Sequence, residues 1–253
     1  MTIAPAPHLE PLLLLASHGS RDELAQRAVL ALVDAVTRRL ASESPGTPVA
    51  AGFVDVQQPD VPRCLAAAEP GRAAVIVPLL ISAGYHVRFD LANAVAGAQP
   101  RAVAVTAALG PDTRLTGILA ERLARSGLRQ GDRVILAAAG SSDRNAVADC
   151  RTAGEQLAAL LGVPVTVAFI AAAEPSLTDA VAAARAETPA ARVVVASYLL
   201  APGTFARWSH GAGADVVSAT LLVDDEEPPP ALVDVVVDRY LTAARAGTGQ
   251  AGA

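Results

Sequence analysis

The chain repeats itself, and this repeat constrains its fold more than any other feature. Leu15-Ala16-Ser17-His18-Gly19-Ser20-Arg21-Asp22 lines up with Leu136-Ala137-Ala138-Ala139-Gly140-Ser141-Ser142-Asp143. Leu79-Leu80-Ile81-Ser82-Ala83-Gly84-Tyr85-His86-Val87-Arg88-Phe89 lines up with Tyr198-Leu199-Leu200-Ala201-Pro202-Gly203-Thr204-Phe205-Ala206-Arg207-Trp208. Between them, Phe53-Val54-Asp55 with Pro59 matches Phe169-Ile170-Ala171 with Pro175. Two stretches that share an apolar frame and glycines at matching places fold as like units. What they do not share is polar: His18, Asp55 and His86 face Ala139, Ala171 and Phe205. Burying an unpaired polar group costs about 1–3 kcal/mol, so a copy that does without these residues is expected to discard them. The pattern is that of a duplicated unit with one chemically active copy.

Each copy alternates strands and helices. Leu12 to Ala16 is a continuous apolar run that stops at small and polar residues, the mark of a buried parallel strand entering a tight turn. Ser20 and Glu23 have capping-box spacing, and Leu24, Ala28, Ala31, Leu32, Ala35, Val36 and Leu40 mark one face of the following helix. Further strands are predicted over 48–56, 73–80 and 101–107, with helices over 60–68, 88–97 and 112–125. The second copy repeats the plan with strands over 133–137, 164–170, 192–198 and 214–221 and helices over 143–161, 175–186, 205–212 and 231–244. This is the signature of an α/β fold made of two tandem doubly wound parallel-sheet domains. The expected organisation is a flexible leader over 1–11, an active domain over 12–126, a degenerate copy over 131–246 and a disordered tail over 247–253.

The remaining totals exclude several classes of function. A formal net charge of −5 argues against nucleic acid or an anionic membrane as the main partner. No stretch approaches the ~20 apolar residues of a membrane span. The N-terminus lacks the pattern of a secretory signal. Cys64 and Cys150 fit no metal or redox spacing and read as buried reduced thiols, which suits a cytoplasmic protein.

Ligands of open α/β sheets bind outside the carboxyl ends of the strands. His18 follows the first strand and His86 the third, so both turns open on one edge. Taken singly, each histidine reads as a semi-buried, hydrogen-bonded residue. Together with Asp55 they make an open site for a divalent transition metal, or a pair of bases for moving protons. His8 lies in the leader and His210 follows Trp208. Neither has a matching partner, and both read as structural or solvent-facing.

These motifs resemble those of the sirohydrochlorin chelatases of CbiX/SirB type. The residues that carry the resemblance are Ala16-Ser17-His18-Gly19-Ser20-Arg21-Asp22, Gly52-Phe53-Val54-Asp55 with Pro59, and Val77 to Asp90. The resemblance implies two similar α/β domains facing each other across a cleft. It implies insertion of Fe²⁺ or Co²⁺ into sirohydrochlorin with loss of two pyrrole protons and without ATP, the metal being a substrate rather than a resident cofactor. His18 and His86 are then the catalytic residues, ligating the ion and accepting protons. Asp55 stands where the family has glutamate, one methylene shorter. Residues implied in holding the substrate and its carboxylates are Ser17, Gly19, Ser20, Arg21, Ser82, Ala83, Gly84, Tyr85, Arg88 and Arg207, while Ala139 and Phe205 would form a drier opposite wall. A chain carrying both copies is expected to act as a monomer.

Other readings are weaker. A histidine phosphatase needs an arginine just before its nucleophilic histidine, and Ser17 stands there. A nicotinamide enzyme needs G-x-G-x-x-G after the first strand, and there is neither a Walker sequence nor a G-x-S-x-G elbow. The remaining rival is a non-catalytic tetrapyrrole or metal carrier of the same fold, which would not need both histidines.

Overall fold

The computed structural model describes residues 9–82, 84–98 and 101–249, and of residues 85–90, 248 and 249 the backbone course alone. The first half runs β1 (Leu12–Ser17), α1 (Glu23–Glu43), β2 (Val49–Phe53), α2 (Val61–Ala67), β3 (Ala74–Pro78), α3 (Tyr85–Gly97), β4 (Val103–Val105) and α4 (Thr113–Arg125). The second runs β5 (Arg133–Ala138), α5 (Arg144–Leu161), β6 (Val165–Phe169), α6 (Leu177–Glu187), β7 (Val193–Tyr198), α7 (Thr204–His210), β8 (Val216–Val217) and α8 (Pro230–Gly249).

The strands form two four-stranded sheets, ordered β2-β1-β3-β4 and β6-β5-β7-β8, with every pairing parallel. β1 and β5 are central and apolar on both faces, because each sheet is covered on both sides. The edge strands β4 and β8 are shorter than their sequence suggests, since an edge strand has a partner on one side only and short edges resist stray pairing. The start of α1 also differs. Asp22, not Ser20, is the N-cap, its Oδ1 accepting the Leu24 N–H at 3.0 Å. Ser20 Oγ instead accepts the Asp22 N–H at 3.0 Å, and Glu23 points into solvent.

Alternation along β1 divides its side chains between two cores. Leu12, Leu14 and Ala16 meet Leu65 of α2 and Leu91 and Ala94 of α3 on the outer face. Leu13 and Leu15 face a larger core that takes in α1, α4, α5 and α8 and the inner face of the second sheet. In that shared layer the two closing helices change places. α4, which ends the first half, packs on β7 and α5, whereas α8, which ends the second, packs on β3, α1 and α4. Leu232, Val235, Val236 and Tyr240 of α8 are fully buried there. The Tyr240 hydroxyl donates to the carbonyl of Pro11 at 2.8 Å, which anchors the chain just before β1.

Each sheet reverses its winding between the central strand and the third, β1/β3 and β5/β7. The crevice at the carboxyl ends of those strands is where a doubly wound sheet holds its ligand.

Candidate functional site

His18 leaves β1 at this crevice in the first half. The preceding Ser17 is buried while His18 itself is exposed. Hydrogen bonds to neighbouring segments set its loop. The Val54 N–H donates to the Ser17 carbonyl at 2.9 Å and the Asp55 N–H to the His18 carbonyl at 3.1 Å, which carries the β1/β2 register past the last paired residues. The Ser20 N–H donates to Gln57 Oε1 at 2.9 Å, and Gln26 Nε2 donates to the Ser20 carbonyl at 2.7 Å. Gly19 adopts φ +90°, and a Cβ there would lie 2.6 Å from the Asp55 carbonyl oxygen, so glycine is required by both torsion and space. His18 and Asp55 are therefore neighbours on adjacent strand ends, both exposed. Asp55 Oδ1 accepts the N–H of Val56 at 2.7 Å, and Val56 itself has φ +58°.

β3 brings the second motif to the same edge. The Leu79 N–H donates to the Ala16 carbonyl at 2.8 Å, and the chain then passes through half-buried Ser82 to Gly84, the N-cap of α3. Tyr85, His86 and Arg88 fall in the first turn of α3 by their backbone. Their side chains, and Ala83, lie outside the described residues. Gly84 abuts the second half, since a Cβ there would sit 2.9 Å from Ser141 Oγ.

The second half reproduces the scaffold of the site, keeping Ser141 and Asp143 as the counterparts of Ser20 and Asp22 but with Ala139 and Ala171 in the places of His18 and Asp55. Ala171 N–H donates to the Ala139 carbonyl at 3.0 Å, and Ile170 N–H to that of Ala138 at 2.9 Å. Gly140 has φ +93°, and a Cβ on it would fall 1.7 Å from the Ala171 oxygen. Ala172 matches Val56 with φ +56°, and the Gln58–Pro59 and Glu174–Pro175 bonds are both cis.

Between the halves lies a cleft of about 430 Å³, within the range of ligand sites. Its first-half wall carries Ser17, His18, Gly19, Ser20, Arg21 and Gln57, backed by Leu30 and Val56. Leu199, Leu200, Pro202 and Phe205 line the second-half wall. Arg21 makes no hydrogen bond or ion pair with any described residue. Arg207 is engaged: its guanidinium pairs with Asp22 Oδ2, tying α7 to the start of α1 and holding the Asp22 carboxyl below the usual carboxylate range. Arg27 of α1 likewise pairs with Asp224 at 2.6 Å, a second link between the halves. Among the described residues no group of three or more His, Cys, Asp and Glu side chains is placed to hold a metal. Of the three expected ligands, His18 lines the cleft, Asp55 lies on the adjacent strand end outside the cleft lining, and the His86 side chain is outside the described residues. A larger hollow of about 790 Å³ lies between α2 and α3 on the outer face, lined by Leu65, Leu91, Ala94 and Arg101, and His18 does not reach it.

The CbiX family model matches residues 12–126 and 133–210. The chain belongs to the CbiX family. Among solved structures it is similar to SirB from Bacillus subtilis with Fe³⁺, at 19% identity and a TM-score of 0.77, over 95% of this chain and 98% of that one. The sirohydrochlorin chelatase SirB from Bacillus subtilis subspecies spizizenii in complex with cobalt gives 18% identity and a TM-score of 0.72, over 95% and 98% of the two chains. CbiX, described as the terminal enzyme for biosynthesis of sirohaem in denitrifying bacteria, gives 18% and 0.56, over 92% and 99%. No curated protein matches the chain.

In this CbiX-family protein, the expectation of two doubly wound α/β units around a central cleft agrees with the observed architecture. Sequence reasoning missed Gln57 and Asp22. Gln57 braces the His18 loop from the neighbouring one, and only its place two residues after Asp55 hinted at that. Asp22 caps α1 and holds Arg207, a pairing across 185 positions with no local signal. Exposed His210 at the end of α7 does not line the cleft. Cys64 and Cys150 are free and buried, and burial pushes both thiols up, Cys150 to about 11 despite an opposing hydrogen bond from Ser82. Among the described residues no helix is long and apolar enough to cross a membrane.

Proposed function

We propose that the protein is a sirohydrochlorin chelatase, a lyase-type enzyme that inserts Fe²⁺ or Co²⁺ into sirohydrochlorin and releases two protons without ATP. The observation that carries this reading is the paired loop of His18 and Asp55. Its His18 end sits at the switch point of a CbiX-family fold and lines the cleft between the halves, Asp55 is held beside it in backbone register, and the second half has the same backbone with Ala139 and Ala171 in their places. The active unit is then 12–126, with 131–246 as its degenerate mate, in a cytoplasmic monomer.

Metallation of a tetrapyrrole needs a divalent ion presented to one face of the ring and two N–H protons removed. His18 and His86 present the ion and accept those protons, passing them to water at the open edge, and Asp55 offsets the positive charge beside them. The two protons lost balance the two charges gained, so no further reactant is needed. Sirohydrochlorin is a polycarboxylate, and Arg21, which has no partner among the described residues, offers a donor for it. Ser17, Gly19, Ser20, Ser82, Ala83, Gly84, Tyr85 and Arg88 complete the proposed substrate shell, while Arg207, held by Asp22 and outside the cleft lining, braces it.

The test is direct. Purified protein is mixed with sirohydrochlorin and Fe²⁺ or Co²⁺, and the ring's absorption is followed for wild type, His18→Ala and His86→Ala. Metallation faster than in buffer, lost in both variants, supports the enzyme. Ring binding with metallation no faster than in buffer identifies a carrier instead.

A further inference from the structure

Two aromatic side chains are left in water on the second half. Phe205 is 39% exposed and Trp208 56% exposed, and their rings meet edge-on at a centroid distance of 5.3 Å. Both lie on α7, and Phe205 lines the cleft opposite His18. A large apolar side chain normally gains about 1.5–3 kcal/mol by burial, so an exposed pair of which Phe205 lines the cleft and Trp208 adjoins it marks a surface that a ligand covers.

The cleft is two-faced. The first half lines it with His18, Ser20, Arg21 and Gln57, whereas the second half offers Leu199, Leu200, Pro202 and Phe205, with Thr204 its single polar side chain. The Asp22–Arg207 pair holds the intervening turn of α7 against the start of α1, which fixes the aromatic pair relative to the His18 loop. A ligand that presents an apolar face to α7 and a reactive one to His18 fits this lining.

We propose that Phe205 and Trp208 form the ring-binding shelf of the cleft. The macrocycle stacks by one face on α7 and turns its other face to His18, so that the metal always enters from the first-half side. This rests on the chelatase reading and gives the degenerate half a role of its own, binding the ring while the other half metallates it. Trp208, in edge contact with Phe205 and outside the cleft lining, extends the shelf to the part of a large ring that the cleft does not enclose.

The experiment measures metal-free sirohydrochlorin binding to the full-length protein through the ring's own absorption, together with steady-state metallation, for Phe205→Ala, Trp208→Ala and Trp208→Phe. Leu160→Ala, an exposed site on α5, is the control. Each alanine variant is expected to weaken Kd and raise KM about tenfold with much less change in kcat, while Trp208→Phe and the control bind as wild type. Unchanged Kd in both alanine variants of an active enzyme overturns the shelf and leaves the chelatase intact. A kcat loss without a KM change also overturns it, since the aromatics would then act on the chemical step. Absence of ring binding in the wild type removes both readings.

Discussion

Gly19 faces the main chain of Asp55 so closely that a Cβ on it would lie 2.6 Å from the Asp55 carbonyl oxygen. The loop that carries His18 and the strand end that carries Asp55 are thereby one rigid unit, and Gly140 and Ala171 repeat the arrangement where alanines replace the histidine and the aspartate. Gly19→Ala must move that carbonyl and also strain a left-handed residue, at a cost of about 1–3 kcal/mol or more. Urea denaturation is expected to show this loss for Gly19→Ala and at least as much for Gly140→Ala. Metallation should fall in the folded fraction of Gly19→Ala alone, through displacement of His18 relative to Asp55.

Gly110 stands in the same relation to Tyr198. A Cβ on Gly110 would lie 2.3 Å from the tyrosine hydroxyl, which is buried and has no hydrogen-bond partner among the described residues. Removing an unsatisfied hydroxyl is nearly neutral or stabilising. Tyr198→Phe should therefore unfold at or above the wild-type midpoint, whereas Gly110→Ala is destabilised by about 1–3 kcal/mol from overpacking. In the double variant part of that loss should return, and a thermal double-mutant cycle with zero coupling would contradict the contact. Rescue stays partial because the Ile81 carbonyl is also 2.9 Å from the added atom.

Alkali should loosen the fold through the same region. Burial raises the Cys150 thiol to about 11 and raises the Tyr198 hydroxyl further. A folded-state pKa above the unfolded one means that the stabilisation is complete below the unfolded value, about 8.5 for a thiol, and is lost as pH rises through the folded value. Stability is expected to fall steadily between about pH 8.5 and 11, and Cys150→Ala should flatten the decline. At pH 8 neither cysteine should react with a thiol reagent until denaturant is added.

Removing α8 should unfold the first half, although α8 belongs to the second by sequence. Leu232, Val235, Val236, Val237 and Tyr240 cover β3 and α1. At about 1.5–3 kcal/mol for each buried side chain, their loss rivals the whole stability of a domain, about 5–15 kcal/mol. A chain ending at Pro229 should bind a hydrophobic dye and lose its cooperative transition, and residues 9–128 expressed alone should do the same. Cooperative unfolding of either fragment would show that the exchange of helices is dispensable.

Local sequence determined the units of this protein. Apolar runs that stop at glycine-bearing turns gave strands, periodic apolar faces gave helices, and the repeat identified His18, Asp55 and His86 as the residues that one copy keeps and the other lacks. These features are legible because each is set by neighbours in the chain: torsion at Gly19, alternation in β1, period in α1. Tertiary structure decided the rest. α4 and α8 each have an apolar face that would fit either sheet, so nothing within them says that they exchange places. The choice between Ser20 and Asp22 as cap depended on Arg207 and Gln57 arriving from elsewhere. The two-faced cleft exists only once both halves pack on one core, because its polar wall and its aromatic wall lie far apart in the chain and meet through long-range burial alone.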